Sequence, residues 1–344
     1  MKQRINFIDA LFSNEGHYID DINKYSYLAL DYDLHYFVNG KISEKNKTFL
    51  EGFTVHESTG NKSIFGLIMY LRTVRKQISR KDFNFVMSVK YLSLFIFSIT
   101  SNFYNFFLLV HFFPTSKIFL NRIVLRFLLL KSNGFMVLDK SVKLHLESII
   151  GKNGNVNVIR SRDIEISDEN EEKKASDKLV LTFVGAMNSY KDVSLLIELL
   201  TENYYSNIEF RFFSKGISFY IKGLLEKNFI VVKDEYFSKE DYKRYLQESD
   251  YIYLAYYSNY GVRFSGMAFD ALSNACPVIC NDNPSFHFLN QYNACEKFSN
   301  KFELDDILIN LSRKIPDGKI YKDFSRGNRE AEFLTLVKKF FHQI

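Results

Sequence analysis

The chain reads YYSNYGVRFSGMAFDALSNACPVICND from Tyr256 to Asp282. An aromatic strand pattern ends in this stretch at a polar turn, and a helical pattern with one apolar face begins near Ser265. The helix ends before Pro277, which cannot extend a helix, and a short apolar strand follows. The stretch therefore predicts a strand, a turn, a helix and a second strand, as in an α/β fold.

The turn before this helix has the features of an anion site. A helix N-terminus presents backbone N–H groups that lack partners in the helix, together with the positive end of the helix dipole. Ser265 and Gly266 would offer those N–H groups, and Asp270 lies where a carboxylate could reach a sugar hydroxyl beside a bound phosphate. An ordinary packing turn of a βαβ unit fits the same local pattern, so both interpretations stay open.

The same stretch resembles the signature of the GT-B glycosyltransferases, above all the large family 4, which reads Glu-Gly-Phe-Gly, four residues, Glu-Ala and then Gly-x-Pro-Val. The positions that match are Phe264, Ser265, Asp270, Ala271, Pro277 and Val278. Two positions depart from the signature, because Val262 replaces the first Glu and Ala275 replaces the late Gly. The resemblance implies a donor site at residues 264–266 and at Asp270, which would bind the ribose.

A similar strand and turn open the second half of the chain. Residues 179–185 read LVLTFVG, and a helical pattern follows Lys191. This order of elements again suits a phosphate. The segment resembles the GT-B pattern Val-Gly-Arg, followed a few residues later by Lys, in which the Arg and the Lys hold the donor diphosphate. Gly185 and Lys191 match this pattern, whereas Ala186 stands in place of the Arg.

The missing arginine matters because a leaving diphosphate gains negative charge in the transition state, where nearby cations lower the barrier. We hypothesise that Arg263, from the other turn, supplies the charge that Ala186 lacks. An arginine in solvent on that loop is the alternative. In enzymes that this chain resembles, Gly216 and the loop near Tyr236 lie close to the ribose and the base.

The first half of the chain alternates short apolar runs with helical patterns, which predicts a parallel sheet covered on both faces. The runs span residues 5–8, 34–38, 83–89, 106–111 and 134–138. Ligands of such sheets bind beyond the C-terminal ends of the strands. His111 ends the fourth run, and similar glycosyltransferases carry a His after the corresponding strand. It is the candidate catalytic residue, able to bind a sugar hydroxyl, with a core histidine as the alternative.

The loop after the first strand contains Gly16 and His17. It is small and flexible enough to approach a substrate closely. GT-B enzymes that this chain resembles have a Gly-rich loop there, which faces the donor and the acceptor. We therefore predict an acceptor-side loop at these residues, with a simple connection as the alternative.

Residues 91–116 contain no charged side chain and are the best membrane-spanning candidate in the chain. Ser101, Asn102 and Asn105 fall in the middle of this segment, where lipid would leave their polar groups costly to bury. We therefore predict two buried elements joined by a turn, and not a membrane span.

Residues 117–131 predict a basic amphipathic helix, with Arg122 and Arg126 one turn apart. The opposite face would consist of Ile118, Phe119, Ile123, Phe127 and Leu130. Glycosyltransferases with lipid-linked acceptors often use such a face on an anionic membrane. The resemblance thus implies a peripheral contact with the inner face of the membrane, which would begin at Lys117. A surface helix with solvated arginines is the alternative.

The high charge density of residues 161–178 predicts a linker between two domains. The resemblance implies an α/β protein with two Rossmann-like domains that face each other across a cleft. Residues 1–160 would bind the acceptor and residues 179–325 the nucleotide sugar. Residues 326–344 contain a helical pattern whose apolar stripe would pack back toward the first domain.

The composition argues against several classes of protein. The 344 residues include 45 Lys and Arg and 40 Asp and Glu, and a net charge of +5 spread along the chain does not predict nucleic-acid binding. Cys276, Cys280 and Cys295 lack the paired spacing of a zinc or redox site, which predicts a reducing, cytoplasmic setting. The first residues lack the apolar core of a signal peptide. No paired-carboxylate motif is evident, so neither a metal nor a cofactor is predicted.

The predicted function is transfer of a sugar from a UDP- or GDP-linked donor to a hydroxyl of a glycan or a lipid-linked acceptor, in the assembly of surface polysaccharide. The resemblance implies retention of anomeric configuration, although Val262 leaves the stereochemistry open. A non-catalytic scaffold of GT-B shape is the rival interpretation. An epimerase of similar fold fits less well, because its paired acidic residues are not evident.

Overall fold

The computed structural model describes residues 2–13, 18–101, 103, 105–110, 112–113, 118–151, 154–160, 177–185, 190–215, 223, 231–233, 235 and 237–343. The chain divides into two units, Met1–Arg162 with Arg326–Ile344, and Asp163–Ser325. Each unit contains one parallel β-sheet.

The sheet of the first unit has seven strands in the order β3-β2-β1-β4-β5-β7-β8. The strands of this half of the chain are β1 Gln3–Asp9, β2 Tyr32–Val38, β3 Phe53–Glu57, β4 Phe83–Ser88, β5 Phe106–Leu109, β6 Phe112–Phe113, β7 Gly134–Val137 and β8 Val156–Val158. Strands β1 and β4 are buried over most of their length, as expected of strands covered on both faces. From one edge, the strand order begins 3-2-1-4-5, which is the order of a Rossmann-like sheet.

Helices cover both faces of this sheet. One face packs against the C-terminal helix Arg326–His342, through Phe333, Val337 and Phe340, and against the segment around Tyr25. Four helices pack side by side in chain order and cover the other face. They are Ile64–Arg75, Tyr91–Thr100, Ile118–Lys131 and Lys140–Ile150. The shorter helices of this unit are Tyr18–Asn23, Ser26–Leu30, Glu44–Lys47 and Thr48–Leu50.

The sheet of the second unit has six parallel strands in the order β11-β10-β9-β12-β14-β15. The strands are β9 Leu179–Val184, β10 Ile208–Phe213, β11 Val231–Lys233, β12 Tyr251–Leu254, β13 Val262–Arg263, β14 Val278–Asn281 and β15 Cys295–Phe298. The helices are Ser194–Glu202, Lys239–Gln247, Ser258–Tyr260, Gly266–Ser273, Pro284–Tyr292, Lys301–Ile309 and Lys319–Asp323. The strand order reverses between β9 and β12, and the C-terminal ends of such strands are where open α/β sheets bind ligands.

The α/β class and the parallel sheets predicted from the sequence are confirmed. Strands β3 and β15 were not predicted. Their sequences, FTVHE and CEKF, carry polar residues and include a single buried side chain, Phe298, so they lack the apolar run that identifies a buried strand.

The uncharged segment 91–116 contains a ten-residue helix, Tyr91–Thr100, followed by β5. Strand β5 is buried as predicted, whereas the helix is buried on one side only, with Leu92 and Ile99 exposed. Within the described residues, every helix is too short or too polar to cross a lipid bilayer. The charged linker remains a prediction, because residues 161–176 lie outside the described part of the chain.

The predicted orientation of helix Ile118–Lys131 is wrong. Its buried residues are Val124, Leu125 and Leu128, because these three form the stripe that meets the neighbouring elements of the first unit. Phe119, Ile123 and Leu130 are instead exposed, at 77%, 45% and 84%, on the same side as Arg122 and Arg126. The apolar side chains thus accompany the arginines at the surface.

Candidate functional site

The candidate site lies at the C-terminal ends of β9 and β12. Gly185 follows β9 directly, and its N–H donates to the carbonyl oxygen of Phe213 on the neighbouring strand at 3.0 Å. The backbone of Lys191 then forms an antiparallel bridge with Tyr256, just after β12. The turn after β9 is therefore fixed beside the end of β12, where the sequence predicts the second anion-binding turn.

The side chain of Lys191 is buried, with 8% of its surface exposed. Its Nζ donates to the carbonyl oxygen of Val184 at 3.0 Å and lies 5.0 Å from the ring centroid of Phe183. No carboxylate forms a salt bridge with it in the part of the chain that the structure describes. Burial lowers the pKa of Lys191 to about 8. A buried amine without a counter-charge suits a site that receives an anion.

The helix Gly266–Ser273 begins next to this lysine. Ser265 is its N-cap: Oγ accepts from the N–H of Ala268 at 3.2 Å and hydrogen-bonds the hydroxyl of Tyr256 at 3.1 Å. Met267, two residues further on, places Sδ 3.6 Å from Nζ of Lys191. The two turns that the sequence singles out therefore meet at one edge of the sheet.

Gly185 is in close contact with both side chains of this junction. Its φ of +91° is a conformation that L side chains rarely adopt. A Cβ at this position would lie 2.4 Å from Cε of Met267 and 3.0 Å from Nζ of Lys191. Glycine is therefore required both by the backbone conformation and by the space left between the two turns.

Arg263 lies against a stack of aromatic rings. Its guanidinium carbon is 4.0 Å from the ring centroid of Tyr260 and 5.2 Å from that of Tyr190. Its Nε donates to the carbonyl oxygen of Tyr260 at 2.9 Å, and Tyr260 stacks on Tyr256 at 3.8 Å. Because Tyr190 is the residue before Lys191, the guanidinium lies near the same turn and not on an isolated solvent loop.

The other two donor-site candidates of this stretch have different surroundings. Asp270 is partly exposed, and its Oδ2 accepts from the hydroxyl of Tyr242 at 3.3 Å. Phe264 packs its ring against Phe269 and Phe288, at 5.6 Å and 5.1 Å between centroids. Asp270 is therefore placed to bind a polar ligand, whereas Phe264 mainly fills the core of the second unit.

A buried carboxyl group lies at the corresponding edge of the first unit. Asp9, the last residue of β1, is 1% exposed and accepts hydrogen bonds from the hydroxyls of Tyr36, at 3.1 Å, and of Ser88. Burial raises its pKa to about 6 despite these bonds. Sequence reasoning missed Asp9, because a single Asp at the end of a strand carries no motif.

The raised pKa of Asp9 gives a pH-dependent difference in stability. Between pH 4 and 6 the folded state holds a proton that the unfolded state has released, so the free energy of unfolding falls as the pH rises. Asp9→Asn removes this pH dependence. As the pH rises from 4 to 7, the free energy of unfolding of Asp9→Asn should therefore increase by about 3 kcal/mol relative to that of the unsubstituted protein. Urea unfolding of both proteins at several pH values measures the difference. The exposed Asp20→Asn is the control, and parallel pH profiles for Asp9→Asn and the parent would contradict the expectation.

Solved structures of similar fold match this chain over 97% or more of its length. Sucrose-phosphate synthase from Thermosynechococcus elongatus has a TM-score of 0.70 and 12% identity, with 100% of both chains covered. HepE of Anabaena, in complex with UDP and glucose, has a TM-score of 0.67 and 12% identity, with 97% of this chain and 100% of HepE covered. The lipopolysaccharide outer core galactosyltransferase WaaB has the same TM-score and identity, with 98% and 99% covered. The fold is that of the GT-B glycosyltransferases.

The GT-B fold does not by itself define a reaction. No protein-family model and no curated protein matches the sequence. The N-terminal domain of trehalose-6-phosphate phosphatase from Candida albicans is also similar to this chain, with a TM-score of 0.67 and 10% identity over 99% of this chain and 97% of that domain. The function therefore has to be argued from the residues of the site.

Several residues that the GT-B resemblance singles out lie outside the described residues: Gly16, His17, His111, Lys117, Gly216 and Tyr236. Their roles remain predictions. The described residues contain no group of three or more His, Cys, Asp or Glu side chains that could hold a metal ion.

Sequence reasoning missed four side chains that shape the candidate site: Tyr190, Tyr242, Tyr260 and Met267. The aromatic residues around the motif were visible, since Tyr260 lies within the quoted stretch and Tyr190 precedes Lys191. Nothing in the sequence indicated that the guanidinium of Arg263 would also reach the ring of Tyr190, because that contact depends on how the two turns approach each other.

Proposed function

We propose that the protein is a glycosyltransferase that uses a nucleoside diphosphate sugar and transfers the sugar to a hydroxyl of a glycan or a lipid-linked acceptor. The contact between the two turns of the second unit carries the proposal. Nζ of Lys191 lies 3.6 Å from Sδ of Met267, in the first turn of the helix that Ser265 caps. A buried ammonium and a helix N-terminus at one edge of a Rossmann-like sheet form a suitable site for a diphosphate.

Each group of the proposed donor site has a distinct role. Lys191 and Arg263 supply positive charge to the diphosphate, and the N–H groups of Ser265 and Gly266 bind its oxygens. Asp270 accepts a hydrogen bond from the ribose, while Tyr242 holds one of its two oxygens. Gly216 and Tyr236 complete the pocket for the ribose and the base, as the resemblance suggests.

In the proposed reaction, an acceptor hydroxyl oxygen forms a bond to the anomeric carbon of the donor. The bond between that carbon and the diphosphate oxygen breaks, the nucleoside diphosphate leaves with the electron pair, and the proton of the acceptor hydroxyl passes to an oxygen of the leaving diphosphate. Lys191 and Arg263 stabilise the charge that develops on the leaving group, the role that Mg²⁺ has in other transferases. His111 would bind the transferred sugar or the acceptor hydroxyl, and the loop with Gly16 and His17 would face the acceptor.

The finer parts of the proposal concern the donor, the stereochemistry and the acceptor. UDP is the first nucleotide to test, since the structure of HepE contains UDP and glucose. The family resemblance favours retention of configuration, which NMR of the product distinguishes from inversion. Assembly of surface polysaccharide at the inner face of a membrane is the setting in which we place the reaction.

Nucleotide binding tests the proposal against a non-catalytic scaffold. UDP or GDP at about 100 times its Kd should raise the Tm by about 5 °C or more, whereas UMP and GMP at the same concentration should raise it less. Mass spectrometry should detect slow hydrolysis of the matching nucleotide sugar. A protein that responds to no nucleotide and hydrolyses no donor would instead be a scaffold.

Arg263→Ala tests the proposal that this residue replaces the missing arginine. We expect nucleoside diphosphate affinity to fall by about ten- to a hundredfold, since a charge-assisted hydrogen bond contributes about 1.5–3 kcal/mol. Titration calorimetry with UDP or GDP measures the loss. Arg244→Ala is the matched control, because that guanidinium also lies over a tyrosine ring, at 5.3 Å from Tyr245, but on the exposed helix Lys239–Gln247. Unchanged nucleotide affinity and turnover in Arg263→Ala would show that Arg263 does not replace the missing arginine.

A further inference from the structure

The four helices that cover one face of the first sheet have an unusual outer surface. We call this surface the helical layer; it comprises Ile64–Arg75, Tyr91–Thr100, Ile118–Lys131 and Lys140–Ile150. Ten of the eighteen large apolar side chains exposed in the described part of the chain lie on it. Scattered exposed apolar residues are normal, but this concentration on one surface indicates an interaction site.

Large exposures occur on all four helices. Phe65 is 71% exposed on the first, Ile99 58% on the second, Phe119 and Leu130 77% and 84% on the third, and Leu144 58% on the fourth. Each helix also has a separate buried stripe, for example Val124, Leu125 and Leu128 on the third, so the exposed residues are not needed for the core.

The helical layer is predominantly positive. Its helices carry seven basic residues, which are Arg72, Arg75, Arg122, Arg126, Lys131, Lys140 and Lys143. Glu147 is their one carboxylate, and it pairs with Lys143 at 3.7 Å. The net charge of these four helices therefore exceeds the +5 of the whole chain. A partner that covers this surface has to offer negative charge together with apolar groups.

We propose that the helical layer docks on an anionic lipid bilayer, with its exposed apolar side chains in the headgroup and upper acyl region and its arginines against the lipid phosphates. An anionic bilayer offers both of the required features over a broad, nearly flat area. The contact extends beyond the single amphipathic helix predicted from the sequence to all four helices. It does not depend on the proposed transferase activity, although it would bring the first unit to the place where a lipid-linked acceptor resides.

Co-sedimentation with vesicles tests this docking. The full chain should pellet with vesicles of phosphatidylcholine and phosphatidylglycerol, should stay in solution with phosphatidylcholine alone, and should be released by high salt. Arg122→Glu with Arg126→Glu should weaken the affinity by about tenfold or more. Phe119→Ser with Leu130→Ser should also weaken the affinity by about tenfold or more, because serine lacks the apolar surface that Phe119 and Leu130 would bury in lipid.

Two controls are matched to these variants. Lys338→Glu with Lys339→Glu reverses two exposed charges on helix Arg326–His342, which covers the opposite face of the sheet. Phe302→Ser with Ile309→Ser removes two apolar side chains that are 85% and 59% exposed in the second unit. Both should bind vesicles like the parent. An unchanged Tm in all variants shows that they remain folded.

Three outcomes would overturn the proposal. In the first, the parent does not bind anionic vesicles. In the second, the substitutions in the helical layer weaken vesicle binding no more than the controls do. In the third, the chain binds no vesicles but forms a dimer that the helical-layer variants dissociate, which would assign the surface to a second copy. Nucleotide-dependent stabilisation, measured without vesicles, tests the transferase proposal separately.

Discussion

Replacing Lys191 by methionine is expected to stabilise the unliganded protein and to abolish its response to nucleoside diphosphates. Methionine fills nearly the same space and removes a buried charge. The fall of the pKa from its ordinary value to about 8 corresponds to about 3 kcal/mol of unfavourable burial at neutral pH. The substitution also removes the hydrogen bond to the carbonyl oxygen of Val184, which costs about 1 kcal/mol of stability. We therefore expect a net gain of about 2 kcal/mol in the free energy of unfolding.

The pH dependence gives the same prediction a second readout. Between pH 8 and 10.5 the folded lysine is neutral while the unfolded lysine keeps its proton, so the stability of the parent rises with pH in this window. The advantage of Lys191→Met should therefore be largest below pH 8 and should shrink above it. Donor affinity of the parent should fall over the same range, because the lysine loses its charge.

Urea unfolding and nucleotide titration of the same samples test both halves of this prediction. Lys243→Met is the control, since Lys243 is exposed on helix Lys239–Gln247 and should change neither quantity. A Lys191→Met protein that is less stable than its parent, or one that still binds UDP or GDP, would contradict the interpretation of Lys191 as a ligand-binding residue held in an unfavourable environment.

Gly185→Ala is the second change with a large expected effect. It introduces strain at a φ of +91° and places a methyl group 2.4 Å from Cε of Met267 and 3.0 Å from Nζ of Lys191. Met267 can move, because its end is flexible, but only by leaving its contact with Lys191. We expect a loss of about 2 kcal/mol in stability and a drop of about tenfold or more in diphosphate affinity.

Two further variants separate strain from crowding. Gly151 has a φ of +101° with no atom within 4 Å of an added Cβ, so Gly151→Ala reports the strain alone. The pair Gly185→Ala with Met267→Ala relieves the crowding and keeps the strain, and the double-mutant cycle measures the coupling. If Gly185→Ala costs no more than Gly151→Ala and leaves diphosphate affinity unchanged, the close approach of the two turns has no role in binding.

The sequence predicted those parts of the fold that depend on local pattern. The apolar runs of β1, β4, β9 and β12 are long enough to identify buried strands, and the helix predicted to begin near Ser265 does so, with Ser265 as its N-cap. The short, partly polar strands β3 and β15 were missed because pairing with a neighbouring strand, and not their own composition, makes them strands.

The candidate site could be predicted only in outline. Gly185 and Ser265 were found by their positions at a strand end and a helix start, and Lys191 by the resemblance to the GT-B pattern. The burial of Lys191 and the contact of Arg263 with Tyr190 were not visible, because both arise from contacts between segments far apart in the sequence. The orientation of helix Ile118–Lys131 was predicted wrongly for a related reason. Apolar residues occur on more than one side of that helix, and only packing decides which side is buried.

A structure of the protein with UDP or GDP bound is the most direct test of the central claim, which is that the two turns together hold a diphosphate. The account predicts diphosphate oxygens within hydrogen-bond distance, about 3 Å, of Nζ of Lys191 and of the backbone N–H groups at Ser265 and Gly266. A nucleotide bound elsewhere, with Nζ of Lys191 still on the carbonyl oxygen of Val184 and away from any phosphate, would contradict it.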